Sequence, residues 1–184
     1  MKVLFMGTPA VAVPVLSALV DEGYDLVEVI SQPDRAAGRG RQIAPTPIKE
    51  YALNKGLKLL QPSSLNAQSN AQAHIVDLRP DVIVVAAYGR LLPPTLLGTA
   101  SIGCLNVHPS LLPKYRGPSP VTAAILNGDK STGTSVIEMS EQMDSGPVVA
   151  QATTSIGSGE TAGVLTARLF QMAAGLIIEV LPKW

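Results

Sequence analysis

The run Asp81-Val82-Ile83-Val84-Val85-Ala86 constrains the fold of this chain more than any other segment. A strand with one wet face alternates polar and apolar residues, whereas an unbroken β-branched run describes a strand covered on both faces. Val3-Leu4-Phe5-Met6 and Leu26 to Ile30 repeat that character over shorter lengths. Helical stretches intervene: Ala10 to Glu22, closed by Gly23, a helix opened by Thr46-Pro47, and Ala67 to Leu78. A further helix opens at Ser119-Pro120 and ends near Asn127-Gly128, and the last runs from Glu160 to about Val180. A capping hydroxyl followed by proline suits a first turn, where an amide hydrogen has no partner to lose. Leu57 to Leu60, Ser101 to His108, Thr134 to Met139 and Pro147 to Ile156 complete the expected strands. The alternation predicts an α/β, Rossmann-like fold: a mostly parallel twisted sheet with helices on both faces. Ligands of such sheets bind beyond the carboxyl ends of the strands, which gives every motif a place to be tested against.

The chain's 184 residues suit one domain, and 46% hydrophobic against 15% charged residues suits a packed core. Fourteen basic residues balance fourteen acidic ones, so a nucleic-acid partner would have to be recognised through local charge. Cys104 is the lone cysteine and His74 and His108 the only histidines, which excludes an internal disulfide and leaves too few ligands for a closed zinc site. No metal is expected. The apolar run between Met1 and Met6 is too short for a signal-peptide core or a membrane span. A cytoplasmic monomer without membrane association is expected.

Chemistry-bearing residues are densest between Cys104 and Gly117. Strand periodicity puts Asn106 and His108 on one face, and Pro109 and Pro113 stop the ladder beyond them. An amide and an imidazole at a strand's carboxyl end could hold an oxyanion between them. Taken alone, a hydrogen-bonded structural histidine and a strand-end asparagine is the simpler reading. Asp144-Ser145-Gly146 is a common turn signal, and it also places a carboxylate where it could orient the His108 ring. Cys104 shares the face of His108 but sits two strand steps from the loop, which favours a buried thiol over a nucleophile. His74 reads as a surface residue of a helix of mixed polarity.

The connection Gln32 to Pro45 carries Arg35, Arg39 and Arg41 against the single acid Asp34, with glycines between. A structureless loop of that length exceeds the usual ~2–6 residues, and its arginines suit phosphate contacts as readily as plain solvation. No G-x-G-x-x-G, G-x-x-x-x-G-K-[ST] or G-x-S-x-G occurs, so dinucleotide, P-loop and serine-hydrolase chemistries lack support.

Asn106-Val107-His108-Pro109-Ser110-Leu111-Leu112-Pro113, with Asp144 downstream, resembles the active-site signature of the folate-dependent formyltransferases. The resemblance implies Asn106, His108 and Asp144 as catalytic residues and 10-formyltetrahydrofolate as co-substrate. It also implies a folate pocket formed by Ala86, Tyr88, Gly89, Ser110, Leu111, Leu112 and Pro113. Gln32-Pro33-Asp34-Arg35, Gly38-Arg39-Gly40 and Pro45 are similar to the loop of those members that formylate the methionine of charged initiator tRNA. Phe5-Met6-Gly7-Thr8-Pro9 and Ala86-Ala87-Tyr88-Gly89 match the same members, in which Arg35, Arg39 and Arg41 would meet the tRNA. Pro109 departs from the glycine often found there in them. The resemblance spans residues 1–184 as a catalytic domain, without the C-terminal β-barrel usual in those enzymes. A sugar-nucleotide formyltransferase with the same catalytic set, or a weakly active folate- and RNA-binding fragment, is the alternative.

Overall fold

The structure is a computed structural model and describes residues 1–37, 42–66 and 69–184. Chain order begins with β1 (Lys2–Gly7), a 3-10 turn at Ala10–Ala12 and α1 (Val13–Asp21). It continues with β2 (Asp25–Ile30), β3 (Arg35–Ala37), β4 (Gln42–Ala44), α2 (Pro47–Asn54), β5 (Leu59–Leu60) and α3 (Asn70–Leu78). After these come β6 (Val82–Ala86), α4 (Pro94–Leu97), β7 (Gly103–His108) and α5 (Pro120–Leu126). The chain closes with β8 (Ser131–Glu138), β9 (Val148–Ser155), α6 (Ala162–Val180) and a last 3-10 turn.

Three helices begin on side-chain caps. Thr46 accepts from the Lys49 amide, Ser69 from that of Gln72 and Thr161 from that of Val164. Each satisfies an amide that would otherwise lack an intrahelical partner, worth ~1 kcal/mol. The expected helix start at Ala67 falls on residues outside those described; the cap places the start at Asn70.

Seven strands form one sheet in the order β5-β2-β1-β6-β7-β8-β9. The first five are mutually parallel, and β8 and β9 extend the sheet antiparallel beyond β7. Alternate residues face opposite layers. Val3, Phe5, Val82, Val84, Leu105 and Val107 pack with α1, α2 and α6. Leu4, Met6, Ile83, Val85 and Cys104 pack with Ile75 of α3 and Leu96 of α4. That two-sided burial is why the sequence of β6 shows no polar alternation, and truncating its Ile83 to alanine would cost ~2–5 kcal/mol. α6 is long and apolar enough to cross a membrane. Its Ala173, Ile177 and Val180 are instead buried in the core that covers the sheet, and its Leu165 and Leu169 are buried with Val121 of α5.

One expectation is corrected. The connection from Gln32 to Pro45 is not structureless, because Arg35–Ala37 pairs antiparallel with Gln42–Ala44 as a separate two-stranded ribbon. Its segments lack alternation, so only the pairing itself marks them as strands; Gly38 to Arg41 lie outside the described residues. His74 is exposed, as expected of a surface residue, and its Nε2 also lies 2.7 Å from Oε2 of Glu28, whose side chain is buried on β2. A buried carboxylate needs such a partner.

β1 is the strand from which neighbours depart in both directions, to β2 on one side and β6 on the other. The crevice outside the carboxyl ends of β1 and β6 is therefore the topological switch point, where ligands of such sheets bind.

Candidate active site

A cavity of about 1060 Å³ opens at that carboxyl edge. It is bounded by the Tyr88–Pro94 turn after β6, by Asn106, Val107 and His108 of β7, and by Ser63–Asn66. Gly117–Thr122, the segment Met139–Glu141 with Met143 and Asp144, and Val11, Thr166 and Phe170 also line it.

β7 delivers Asn106 and His108 to one face, as its alternation requires. The chain leaving β8 turns back across that face. Gly146 permits the return, since a Cβ there would stand 1.8 Å from the Glu138 carbonyl oxygen. Asp144, held in the left-handed region with φ 49°, then aims its carboxylate at β7. Its Oδ1 accepts from Asn106 Nδ2 at 3.4 Å and its Oδ2 from the Gly117 amide at 2.9 Å. Oδ2 also lies 3.5 Å from His108 Nδ1, with the two side chains 11% and 6% exposed. The turn reading of Asp144-Ser145-Gly146 and its approach to His108 are thus compatible: the turn aims the acid.

The other ring nitrogen fixes the chemistry of the imidazole. His108 Nε2 lies 2.9 Å from the Tyr115 carbonyl oxygen, which can only accept, so Nε2 carries a hydrogen. Nδ1 is left as the nitrogen that gains or loses a proton, facing Asp144 and the cavity.

The loop beyond β7 is clamped from β8 and β9. Ser135 Oγ donates to the Ser110 carbonyl at 2.6 Å and accepts from the Leu112 amide at 3.1 Å. Gln151 Nε2 reaches both Ser135 Oγ and the Leu112 carbonyl, at 2.8 and 2.9 Å. Thr134 Oγ1 donates to the His108 carbonyl at 3.3 Å. Every lone pair and hydrogen of the Ser135 hydroxyl is used, in a site with no exposure.

The structure therefore brings Asn106, His108 and Asp144 together and sets Tyr88 and Gly89 in the same cavity wall. Ala86, Ser110, Leu111, Leu112 and Pro113 are not part of that wall. Ala86 is fully buried between Gly7 and Val107 in the sheet, and the Ser110–Pro113 loop shapes the site from within through the Ser135 clamp. Burial among Leu4, Met6 and Ile83 pushes the Cys104 thiol up to about 12, which removes it as a nucleophile. Arg35 is exposed and its Nη2 donates to Gln32 Oε1 at 2.9 Å; Arg39 and Arg41 lie outside the described residues.

Sequence reasoning missed the second half of the wall. Arg90 Nη1 donates to the Pro62 and Ser63 carbonyls at 3.3 and 2.9 Å, drawing the Ser63–Asn66 segment to the cavity rim. The signal was available for Arg90–Pro94, which continue the turn of the expected Tyr88 and Gly89 beyond the strongest strand. It was not available for Ser63–Asn66, which reaches the rim only through tertiary contact.

The formyl transferase family matches residues 1–181. The methionyl-tRNA formyltransferase of Enterococcus faecalis is 43% identical over 99% of this chain and 58% of its own length. That of Chloroflexus aggregans is 46% identical over 100% and 59%. The chain thus spans somewhat under three-fifths of the length of these curated relatives. Among solved structures, the phosphoribosylglycinamide formyltransferase of Brucella melitensis superposes with a TM-score of 0.78 at 28% identity, over 99% of this chain and 93% of that one. With a family match over nearly every residue and a polar trio at the sheet's carboxyl edge, the chain belongs to the formyl transferase family.

Proposed function

We propose that this chain transfers the formyl group of 10-formyltetrahydrofolate to the α-amine of methionine carried on initiator tRNA, as a cytoplasmic step preparing translation initiation. The observation that carries the reaction is the convergence of Asn106, His108 and Asp144 on one cavity. The names of the relatives supply the acceptor.

Folate occupies the side of the cavity walled by Tyr88 and Gly89, with the Ser110–Pro113 loop shaping it from behind. The acceptor amine, in its neutral form, attacks the formyl carbon. A C–N bond forms, and the carbonyl π pair moves onto oxygen. Asn106 Nδ2, which keeps a second N–H beyond its bond to Asp144, and His108 protonated at Nδ1 donate to that oxyanion. Each such preorganised donor is worth ~3–4 kcal/mol in acyl transfer. Asp144 stabilises the imidazolium and orders a water that removes the amine proton. Collapse restores the C=O, breaks the bond to the folate nitrogen and returns a proton to it, leaving tetrahydrofolate. No step calls for a metal. Arg35, Arg39 and Arg41 contact tRNA phosphate, a role supported by their charge and placement in sequence.

Formyl transfer from labelled 10-formyltetrahydrofolate is measured with charged initiator tRNA, an amino-sugar nucleotide and buffer as parallel acceptors. Label on tRNA at any rate, suppressed by added salt, is the expected result. Label on the sugar nucleotide alone would reassign the acceptor. Formate released into buffer at the same rate as with tRNA would make the chain a hydrolase.

A further inference from the structure

The basic ribbon and the turn after β6 meet at one side chain. Gln32 is 9% exposed, and both ends of its amide are engaged. Nε2 donates to the Tyr88 carbonyl at 2.7 Å, while Oε1 accepts from Arg35 Nη2 at 2.9 Å. A carbonyl only accepts and a guanidinium only donates, so rotating the amide by half a turn would set like against like at both ends. The Tyr88 carbonyl also accepts from Thr8 Oγ1 at 2.9 Å. It belongs to a turn of uncommon conformation, with φ 48° at Ala87 and 79° at Gly89. The fit is tight, since a Cβ at position 89 would lie 2.6 Å from Gln32 Nε2. Arg35 is exposed, and a guanidinium has five N–H donors of which this bond uses one.

We propose that Gln32 is a positioning residue that couples RNA phosphate held at Arg35 to the folate side of the cavity. This rests on the function proposed above. Phosphate restrains the guanidinium, the guanidinium restrains the Gln32 amide, and the amide holds the Tyr88 carbonyl in the geometry the cavity wall requires. The coupling is reciprocal, so folate tightens RNA by the same factor as RNA tightens folate.

Two measurements test it. In ligand-free protein, the carbonyl carbon resonance of Tyr88 is compared between native, Arg35→Ala and Gln32→Glu chains. Arg35→Ala alters only the far end of the relay and is expected to shift that resonance, with Gln32→Glu shifting it more. The dissociation constant of 10-formyltetrahydrofolate is then measured with and without a saturating uncharged RNA acceptor stem. The native chain is expected to bind folate about fivefold tighter with RNA present, and both variants at a ratio near one; Arg35→Ala keeps the native thermal midpoint, whereas Gln32→Glu lowers it by setting a carboxylate oxygen against the Tyr88 carbonyl. A Tyr88 resonance unmoved by Arg35→Ala, or a coupling ratio that survives Gln32→Glu, overturns the relay. A native chain that binds folate and RNA independently overturns the coupling while leaving the function; one that binds no folate overturns the function itself.

Discussion

Two turns leave adjacent parallel strands at the same edge of the sheet, and they are held in different ways. The turn after β7 carries His108 and is clamped by buried hydroxyls and an amide from β8 and β9, with Ser135 satisfied at every position. The turn after β6 carries Tyr88 and Gly89 and is held by Thr8, just beyond the neighbouring β1, and by Gln32 at the root of the ribbon. A buried, fully paired clamp leaves a reacting group one position, which transition-state stabilisation rewards. A hold that runs outward to an exposed arginine leaves the binding wall responsive to what the arginine meets. Under the function proposed above, the β7 turn serves chemistry and the β6 turn serves binding.

The largest break in that contrast comes from the groups proposed to react. Asn106→Ala and His108→Ala are expected to lower kcat by about a hundredfold to a thousandfold, with folate affinity changed less than about threefold. Single-turnover rates and equilibrium folate binding on the same samples decide this. Parallel losses in both would show these residues to be binding groups and erase the distinction between the turns.

Next is the clamp. Ser135→Ala leaves the buried Leu112 amide without its acceptor and the Ser110 carbonyl without its donor, and is expected to destabilise the fold by ~1–3 kcal/mol. Urea unfolding reads the loss, and a midpoint unchanged from native would mean that the clamp does not hold the turn. The counterpart on β6, Thr8→Val, removes one of two donors to the Tyr88 carbonyl. That change is expected to cost less than the Ser135 variant, because Gln32 still donates.

Cys104, beneath Asn106 on β7, gives a pH test of how dry that strand is. Its thiol is pushed from 9.0 to about 12 by burial, so the folded chain keeps a proton that the unfolded chain releases. The sign follows: this stabilisation is whole below about pH 9 and is lost as pH rises toward 12, at up to about 1.4 kcal/mol per pH unit. Cys104→Ala should flatten the stability curve over that window. A thiol that reacts with iodoacetamide in the folded protein at pH 8 would show the strand to be wetter than its packing.

The smallest effect sharpens the binding side. Thr8→Val is expected to weaken folate about fivefold while leaving kcat within twofold of native, since one neutral hydrogen bond is worth about 1 kcal/mol. A fall in kcat without a change in affinity would place the β6 turn with chemistry after all.

The sequence by itself determined the layers and the edge at which to look. Unbroken apolar runs such as Val82–Ala86 require cover on both faces, the Thr46 cap starts a helix, and period two puts Asn106 and His108 side by side. These features are local, written in neighbours along the chain. Tertiary structure alone decided that Asp144 reaches β7 across 38 positions of sequence and that Tyr115 offers its carbonyl to His108 Nε2. It also decided that Gln32 bridges Arg35 and Tyr88, that the ribbon pairs, and that Ser63–Asn66 joins the cavity rim. Periodicity fixes which way a side chain faces, but a hydrogen bond between distant segments depends on how the layers close, and no local pattern carries that information.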